Sequence, residues 1–399
     1  MGWVCCQLGA REHYAVPRAL HRVGKLAQLV TDAWMPAGRA PGWLRASALA
    51  RLGQRYHQDL ASATVRSFTG SFIAHEGLWR AGRRRGWDAV LARNRWFQVR
   101  AATALPARHQ PTMLFAHSYS AQHILREGQH RGWTRVLGQI DAGPEHYALL
   151  ERLTAQRPEY GSGAPLPEPE YFRSWRAECE LANWIVVNSD WSRQSLVRAG
   201  VDATKITIVP LPFEPAAGAA PARVYPEKFS TERPLRALFV GTASVMKGVP
   251  ELLEAFALLA DPRLELCFVG DRTITIPSRF ARHPRIRWVG PVDRATVMAY
   301  YQSSDVLLFP SHSDGFGMVQ VEAQGWALPI IASRHCGQVV RDGQTGLMLP
   351  EVTAAAVAAA LRRALDSPEW LDRWSRAMRT APAPGLAALA SGLTNLEPR

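Results

Sequence analysis

Short apolar, β-branched runs alternate with helical stretches along the whole chain. That alternation predicts α/β layers built on parallel sheets. In the first half the strands are expected at residues 2–7, 27–31, 113–116, 135–139, 184–188 and 206–209. In the second half they are expected at residues 236–240, 265–269, 286–289, 306–309 and 329–331. Between the halves, residues 212–234 are rich in Pro and Ala and lack apolar periodicity, so they read as a linker. A chain of 399 residues has room for two domains of ordinary size. The reading therefore divides it into a first domain at 1–220, a linker at 221–234, a second domain at 235–380 and a tail at 381–399. The tail either packs back on the first domain or ends frayed.

The charge asks for an explanation. The formal net charge is +13, and such an excess calls for an anionic partner or serves solubility. One stretch concentrates it: Trp79-Arg80, then Arg83, Arg84, Arg85, Trp87, Arg93, Arg95, Trp96, Phe97 and Arg100. Basic and aromatic residues interleaved in this way suit an anionic bilayer, another polyanion, or simply a solvated basic face. The 5 cysteines form no C-x-x-C pair, and Cys5, Cys6 and Cys267 fall on expected strands, so buried thiols in a reducing cytoplasm are expected. The opening residues reach Arg11-Glu12-His13 too soon for a secretory apolar segment. No apolar run is long enough to span a bilayer, so any membrane contact is expected to be peripheral, on the inner face.

The chemistry concentrates at two turns. The apolar run Asp305-Val306-Leu307-Leu308-Phe309-Pro310 reads as a buried parallel strand. It leads into Ser311-His312-Ser313-Asp314-Gly315-Phe316-Gly317-Met318-Val319-Gln320-Val321-Glu322. Two glycines flanking a Phe make a tight strand-to-helix turn, and the helix that follows presents N–H groups and its positive dipole end. Asp314 and Glu322 stand eight positions apart across that turn. A carboxylate on the loop accepts hydrogen bonds from sugar hydroxyls, and one on the first helical turns clamps a ribose diol. The other turn is Gly241-Thr242-Ala243-Ser244-Val245-Met246-Lys247-Gly248. Gly241 lets the backbone bend toward an anion, Thr242 and Ser244 offer hydroxyls, and Lys247 supplies the positive charge a diphosphate leaving group requires. Taken singly, Lys247 also reads as a solvated lysine at a helix start, Glu322 as a helix N-terminal carboxylate and Asp314 as a plain turn residue.

Together, Asp314-x7-Glu322 and the strand, Gly-turn, Lys-Gly and helix of Phe239–Phe256 resemble the retaining glycosyltransferases of family 4. Asp314 stands in place of the first Glu of their E-x7-E signature. The resemblance is good over residues 235–371 and looser before them. It implies a GT-B architecture: two Rossmann-like domains facing across a cleft, with ligand at the carboxyl ends of the strands. It places the donor's ribose on Glu322, the transferred sugar near Asp314 and Gly315-Phe316-Gly317, and sugar or phosphate oxygens on the backbone N–H groups of Phe316, Gly317 and Met318. The diphosphate falls on Gly241, Thr242, Ser244 and Lys247, although many members carry an Arg where Thr242 stands. Gly290-Pro291-Val292 resembles the segment whose backbone meets the nucleobase.

In the first half, His117 closes the apolar run 113–116 and is expected to face the cleft. It reads either as a sugar-side group or as a hydrogen-bonded structural histidine. Gly9 and Glu12, in the loop after the first strand, and Asp141, after the run 135–139, are the acceptor-side candidates. The loop at Gly9 has one glycine where the family commonly has two. The resemblance implies retention, with Lys247 stabilising the departing phosphate and no convincing carboxylate nucleophile. No D-x-D occurs, so metal independence and no bound cofactor are expected. The expected activity is transfer of a hexosyl group from a nucleotide-diphosphate sugar to a glycan, glycolipid or other hydroxyl acceptor in polysaccharide biosynthesis, with no nucleic-acid partner. The alternatives are a sugar-nucleotide-binding protein with little transfer, or a GT-B-fold epimerase acting on the nucleotide-sugar itself.

Overall fold

The computed structural model describes residues 1–36, 52, 55–81, 86–107, 112–161, 166–214, 222–380 and 384–398. The first half forms a seven-stranded sheet from β1 (Gly2–Gln7), β2 (Leu26–Thr31), β3 (Val65–Ser67), β4 (Thr112–His117), β5 (Thr134–Gly138), β6 (Trp184–Val187) and β7 (Ile206–Ile208), in the order β3-β2-β1-β4-β5-β6-β7. The second half forms a six-stranded sheet from β8 (Leu235–Val240), β9 (Leu264–Val269), β10 (Ile286–Gly290), β11 (Val306–Phe309), β12 (Ile330–Ala332) and β13 (Gly346–Met348), in the order β10-β9-β8-β11-β12-β13. Each ladder between neighbours is parallel. Strand order reverses between β1 and β4 in one sheet and between β8 and β11 in the other. Those reversals open crevices at the carboxyl ends of the strands.

The strands are apolar on both faces because helices cover both faces. Alternate residues of β1 and β4 divide between two cores, with Val4, Cys6, Leu114 and Ala116 on one side and Trp3, Cys5, Met113 and Phe115 on the other. The tail supplies part of the second cover. Leu386, Leu389, Ala390 and Leu393 of the Leu386–Thr394 helix join the Trp3 core. Glu397 accepts from Trp3 Nε1 at 2.8 Å and from Lys25 Nζ at 2.9 Å. The tail thus packs against the first sheet.

The segment expected as a linker forms no regular element among its described residues, yet its end is packed. Phe229 is 1% exposed inside the second core. Arg223 donates to the carbonyl of Trp326 at 3.1 Å and to those of Ser304 and Tyr301. Residues 215–221 of that expectation lie outside the described residues. The basic-aromatic stretch falls on two helices, Thr69–Ala81 and Gly86–Thr103, and its Arg83, Arg84 and Arg85 lie outside the described residues, as do the side chains of Trp79 and Arg80. Its aromatic half is core: Phe97 is 0% and Trp96 9% exposed. Arg93 pairs with Glu76, Arg95 with Glu170, and Arg100 lies over the Trp96 ring at 5.6 Å. Internal packing therefore takes up much of a pattern that the sequence offered to a bilayer. All five cysteines are free thiols.

Candidate active site

The turn after β8 is shaped by close approach. Gly241, at φ 132, donates its N–H to Val269 O at 2.9 Å. Ser244 Oγ accepts the Lys247 N–H at 3.2 Å, which closes the turn and gives that hydroxyl oxygen a structural task. Gly248, at φ 70, caps the Val249–Leu259 helix. A Cβ there would stand 2.1 Å from Pro310 O, so only glycine fits. This contact lays the turn against the end of β11, and His312 N–H reinforces it by donating to Met246 O at 2.8 Å.

The two signature residues meet across this seam. Lys247 Nζ donates to Asp314 Oδ2, and both side chains are partly buried. Nζ also stands 5.4 Å from the Phe309 ring centroid. Asp314 is held on both sides: its N–H donates to His335 O at 2.8 Å, and its Oδ1 accepts the Phe316 N–H at 3.3 Å. That last bond engages the Phe316 amide inside the loop. Gly317, at φ 81, precedes the Met318–Gly325 helix, and a Cβ there would strike the Phe309 ring at 2.6 Å. Gly315 carries no such positive φ; its place is set by the facing sheet, with Ile140 O 3.1 Å from where its Cβ would lie.

Glu322 is positioned from behind. Tyr301, 1% exposed, donates its hydroxyl to Glu322 Oε2 at 2.7 Å. Burial and the neighbouring carboxylate hold the phenol well above its ordinary value, so it stays a donor. Sequence reasoning missed Tyr301, which sits in the Arg294–Ser303 helix with no motif around it. Tyr301→Phe is expected to weaken nucleotide binding about 3- to 10-fold, the worth of one hydrogen bond to a charged group, with kcat nearly unchanged. A titration calorimetry Kd within twofold of wild type would remove Tyr301 from the site.

Thr242 is exposed and Ala243 bridges to Arg272 in a short parallel contact. The Arg272 guanidinium lies 5.6 Å over the Trp288 ring, and its bridge partner Ala243 adjoins Thr242, where the resemblance leads one to expect an Arg. Val292 is half-buried and packs at the margin of the core that holds Leu238 and Tyr301, just beyond Gly290 at φ 82.

The facing wall comes from the first sheet. Gly9, at φ 83, donates its N–H to Asp32 Oδ1 at 3.0 Å, and Gln7 Nε2 donates to Gly9 O and Arg11 O, each at 3.0 Å. Instead of a second glycine, this loop uses three consecutive left-handed residues, Glu12, His13 and Tyr14, at φ 50, 52 and 59. Such residues cost roughly 1–2 kcal/mol each and persist where the surroundings fix them. The Glu12 side chain is only half-buried by its surface but densely surrounded by protein. Burial pushes its carboxyl up to about 7, and Arg11 pulls the other way. His117 ends β4, 5% exposed, with Nδ1 making no geometric hydrogen bond among the described residues and its ring edge-on to Phe115 at 5.0 Å. Burial, then Arg11, lower its pKa to about 3 against a weaker opposing pull from the Gly138 backbone, so it is a neutral imidazole. Asp141 is a hub. Its Oδ1 accepts from Tyr119 at 2.8 Å, Gln139 at 2.9 Å and Gly143 N–H at 2.8 Å, and its Oδ2 accepts from Tyr147 at 3.4 Å.

The walls touch through the loop after β11. Ser313 Oγ meets His146 Nδ1 at 3.2 Å and accepts from Trp191 Nε1 at 3.0 Å. Gly315 O accepts from Ser189 at 2.6 Å and Ser192 at 3.2 Å. Arg157 reaches across to Glu254 at 2.8 Å and Glu251 at 3.3 Å. His146 lies in the field of Asp141, Lys247 and Asp314; burial lowers its pKa, the two acids raise it and Lys247 lowers it again. No spacing in the sequence pointed to His146, which stands in the first turn of the Pro144–Gln156 helix that follows β5.

Residues 225–381 match the family described as Glycosyl transferases group 1. The group 1 match covers the second sheet and both signature turns. The chain is similar to a D-inositol 3-phosphate glycosyltransferase of Kineococcus radiotolerans, at 32% identity over 221 residues, 47% of this chain and 50% of that protein. It is similar to a glycogen synthase of Mycobacterium tuberculosis, at 26% identity over 319 residues, 76% of this chain and 66% of that protein. The chain thus spans about half to two thirds of the length of these curated relatives. Among solved structures it is similar to HepE of Anabaena in complex with UDP and glucose, with a TM-score of 0.61 at 14% identity over 99% of this chain and 98% of that one. It is also similar to sucrose-phosphate synthase of Thermosynechococcus elongatus, with a TM-score of 0.59 at 18% identity over the same shares. The architecture is GT-B: two Rossmann-like parallel sheets facing across a cleft.

Proposed function

We propose that the protein is a retaining glycosyltransferase that moves a sugar from a nucleotide-diphosphate sugar to a hydroxyl of a glycan or lipid-linked acceptor. The observation that carries this reading is the meeting of Lys247 and Asp314 at the crevice where β8 and β11 diverge, with Glu322 and Tyr301 a helix turn beyond. Lys247 would take the charge that develops on a leaving diphosphate, with Ser244 and Gly241 around it. Glu322 would hold a ribose diol. Asp314, Gly315, Gly317 and Met318 would face the sugar. Neutral His117, Gly9, Glu12 and Asp141 shape the acceptor side. The proposed donor class is supported by the UDP and glucose bound in HepE and by the group 1 match. The reaction is proposed to need no metal, on the absence of D-x-D from the chain. Among the described residues no helix is long and apolar enough to cross a membrane. Contact with an anionic membrane surface is proposed as peripheral, at the inner face.

A binding protein with little transfer activity is the second reading, favoured by the Lys247–Asp314 pair, which already occupies the ammonium. A thermal-shift screen against UDP, GDP, ADP and their common sugars tests both readings, because a ligand of the native state raises Tm by mass action. A rise of several degrees with one nucleotide, abolished in Glu322→Ala, is the expected result. Turnover on an acceptor panel then separates transfer from binding, and incubating the donor alone exposes epimerisation. No rise with any nucleotide at millimolar concentration would sink the site assignment.

A further inference from the structure

A cavity of about 250 Å³ lies behind the acceptor wall, between the Gly86–Thr103, Gln122–His130 and Pro169–Leu181 helices. It shares one wall with the acceptor side of the cleft. Tyr119 stacks on Tyr171 at 4.0 Å with 4° between the rings, and its hydroxyl is the one bound to Asp141. The remaining lining includes donors at Gln98, Asn94 and Arg173. Gln98 is only 6% exposed, and its Oε1 accepts the His123 backbone N–H at 3.0 Å. A backbone N–H can only donate, so the amide orientation is fixed and its NH2 group is turned away from that contact, on the cavity side. That NH2 meets no acceptor among the described residues, and Asn94 makes no side-chain hydrogen bond among them either. Arg173 stands at the rim without a carboxylate partner among the described residues. Arg95 adds a second guanidinium, and the one acidic side chain of the lining, Glu170, is paired with it.

The donors set the ligand's chemistry: the Arg173 guanidinium and the Gln98 NH2 group call for a group that accepts hydrogen bonds and carries negative charge. A phosphate ester accepts on several oxygens and carries the charge that the Arg173 guanidinium matches, Arg95 being held by Glu170. We propose that this cavity is a phosphate-binding subsite, holding the phosphate of a phosphorylated acceptor or of an anionic lipid headgroup. Its role in acceptor recognition rests on the transfer reading above; its affinity for phosphate does not.

The test is a ³¹P NMR titration of inorganic phosphate and glycerol 3-phosphate, with co-sedimentation on phosphatidylglycerol and phosphatidylcholine vesicles. Wild type, Arg173→Ala and Gln98→Leu are compared. Binding that weakens at least tenfold in both variants, with the UDP response kept, is expected. Variant-sensitive binding of the soluble phosphates identifies a free phosphorylated ligand. Variant-sensitive binding confined to phosphatidylglycerol vesicles identifies a headgroup. Exposed Arg173 keeps the test decisive if Gln98→Leu fails to fold. Equal binding by wild type and Arg173→Ala, or no binding of any of these probes, overturns the proposal. Loss of the UDP response in wild type would instead overturn the donor site and leave the subsite standing or falling on its own titration.

Discussion

Lys247→Ala is expected to lower kcat for glycosyl transfer by about 10²–10³-fold, the size of effect seen when a preorganised group facing developing charge is removed. The nucleotide Kd should rise far less. The physical reason is where the charge appears. The donor's phosphates carry their charge before and after the sugar leaves, but the bond to the sugar breaks with fresh charge on the leaving oxygen, and only interactions that strengthen there raise kcat. Lys247 sits on a turn that cannot drift, because Gly248 is pressed on Pro310 O and the Lys247 N–H is bound to Ser244. Its ammonium is partly buried beside Asp314, so it acts in a medium less screening than bulk water. Removing it also deprives Asp314 of its partner, and Asp314→Asn measured alongside, with the double variant, separates the two effects. Single-turnover rates and calorimetric Kd values on the same samples give the split. A Lys247→Ala enzyme with wild-type kcat would show that the ammonium serves only the ion pair with Asp314.

The strands and the two signature turns were legible in the sequence for one physical reason: a strand buried on both faces reads as an unbroken apolar run, and a turn that approaches another backbone demands glycine. Val306–Phe309 and Gly2–Gln7 fall where the pattern put them. The three-residue edge strands Val65–Ser67 and Gly346–Met348 were not foreseen, because each is short, half-exposed and carries a polar residue or a glycine. The site was legible only where local spacing encodes it. Asp314 and Glu322 share one turn, whereas Tyr301, His146, Ser189 and Trp191 reach it through tertiary folding from separate helices. The left-handed run Glu12–Tyr14 was invisible because no residue type in it announces positive φ. The basic-aromatic stretch misled in the opposite direction: Trp96 and Phe97 interleave with arginines in sequence but face inward on their helix.

Glu178→Ala should destabilise the protein by about 3–5 kcal/mol, more than any single change in the cleft, because it leaves three backbone donors without an acceptor. Glu178 is fully buried on the Pro169–Leu181 helix. Its Oε2 accepts the Tyr119 N–H at 2.6 Å, and its Oε1 accepts those of Ala121 at 2.7 Å and Gln122 at 3.1 Å. One carboxylate thus caps the Gln122–His130 helix and pins Tyr119 in its left-handed conformation, at φ 69, between the end of β4 and Asp141. Burial pushes the carboxyl up to about 7 while the three N–H groups pull it back. An acid raised in this way stays protonated in the native state at pH values where the unfolded chain has already released the proton. The native state then binds more protons, and stability falls with rising pH. The contribution is complete below the ordinary carboxylate range and lost by about pH 7. Glu178→Gln removes the titration and turns an NH2 group toward at least one N–H donor. It should therefore cost about 1–3 kcal/mol, and the gap between wild type and this variant should narrow from pH 5 to pH 7.5. Urea unfolding at each pH measures that gap. A gap that widens with pH would show that the charged form is the one the three amides hold, and a loss below about 1 kcal/mol in Glu178→Ala would show that water replaces the carboxylate as their acceptor.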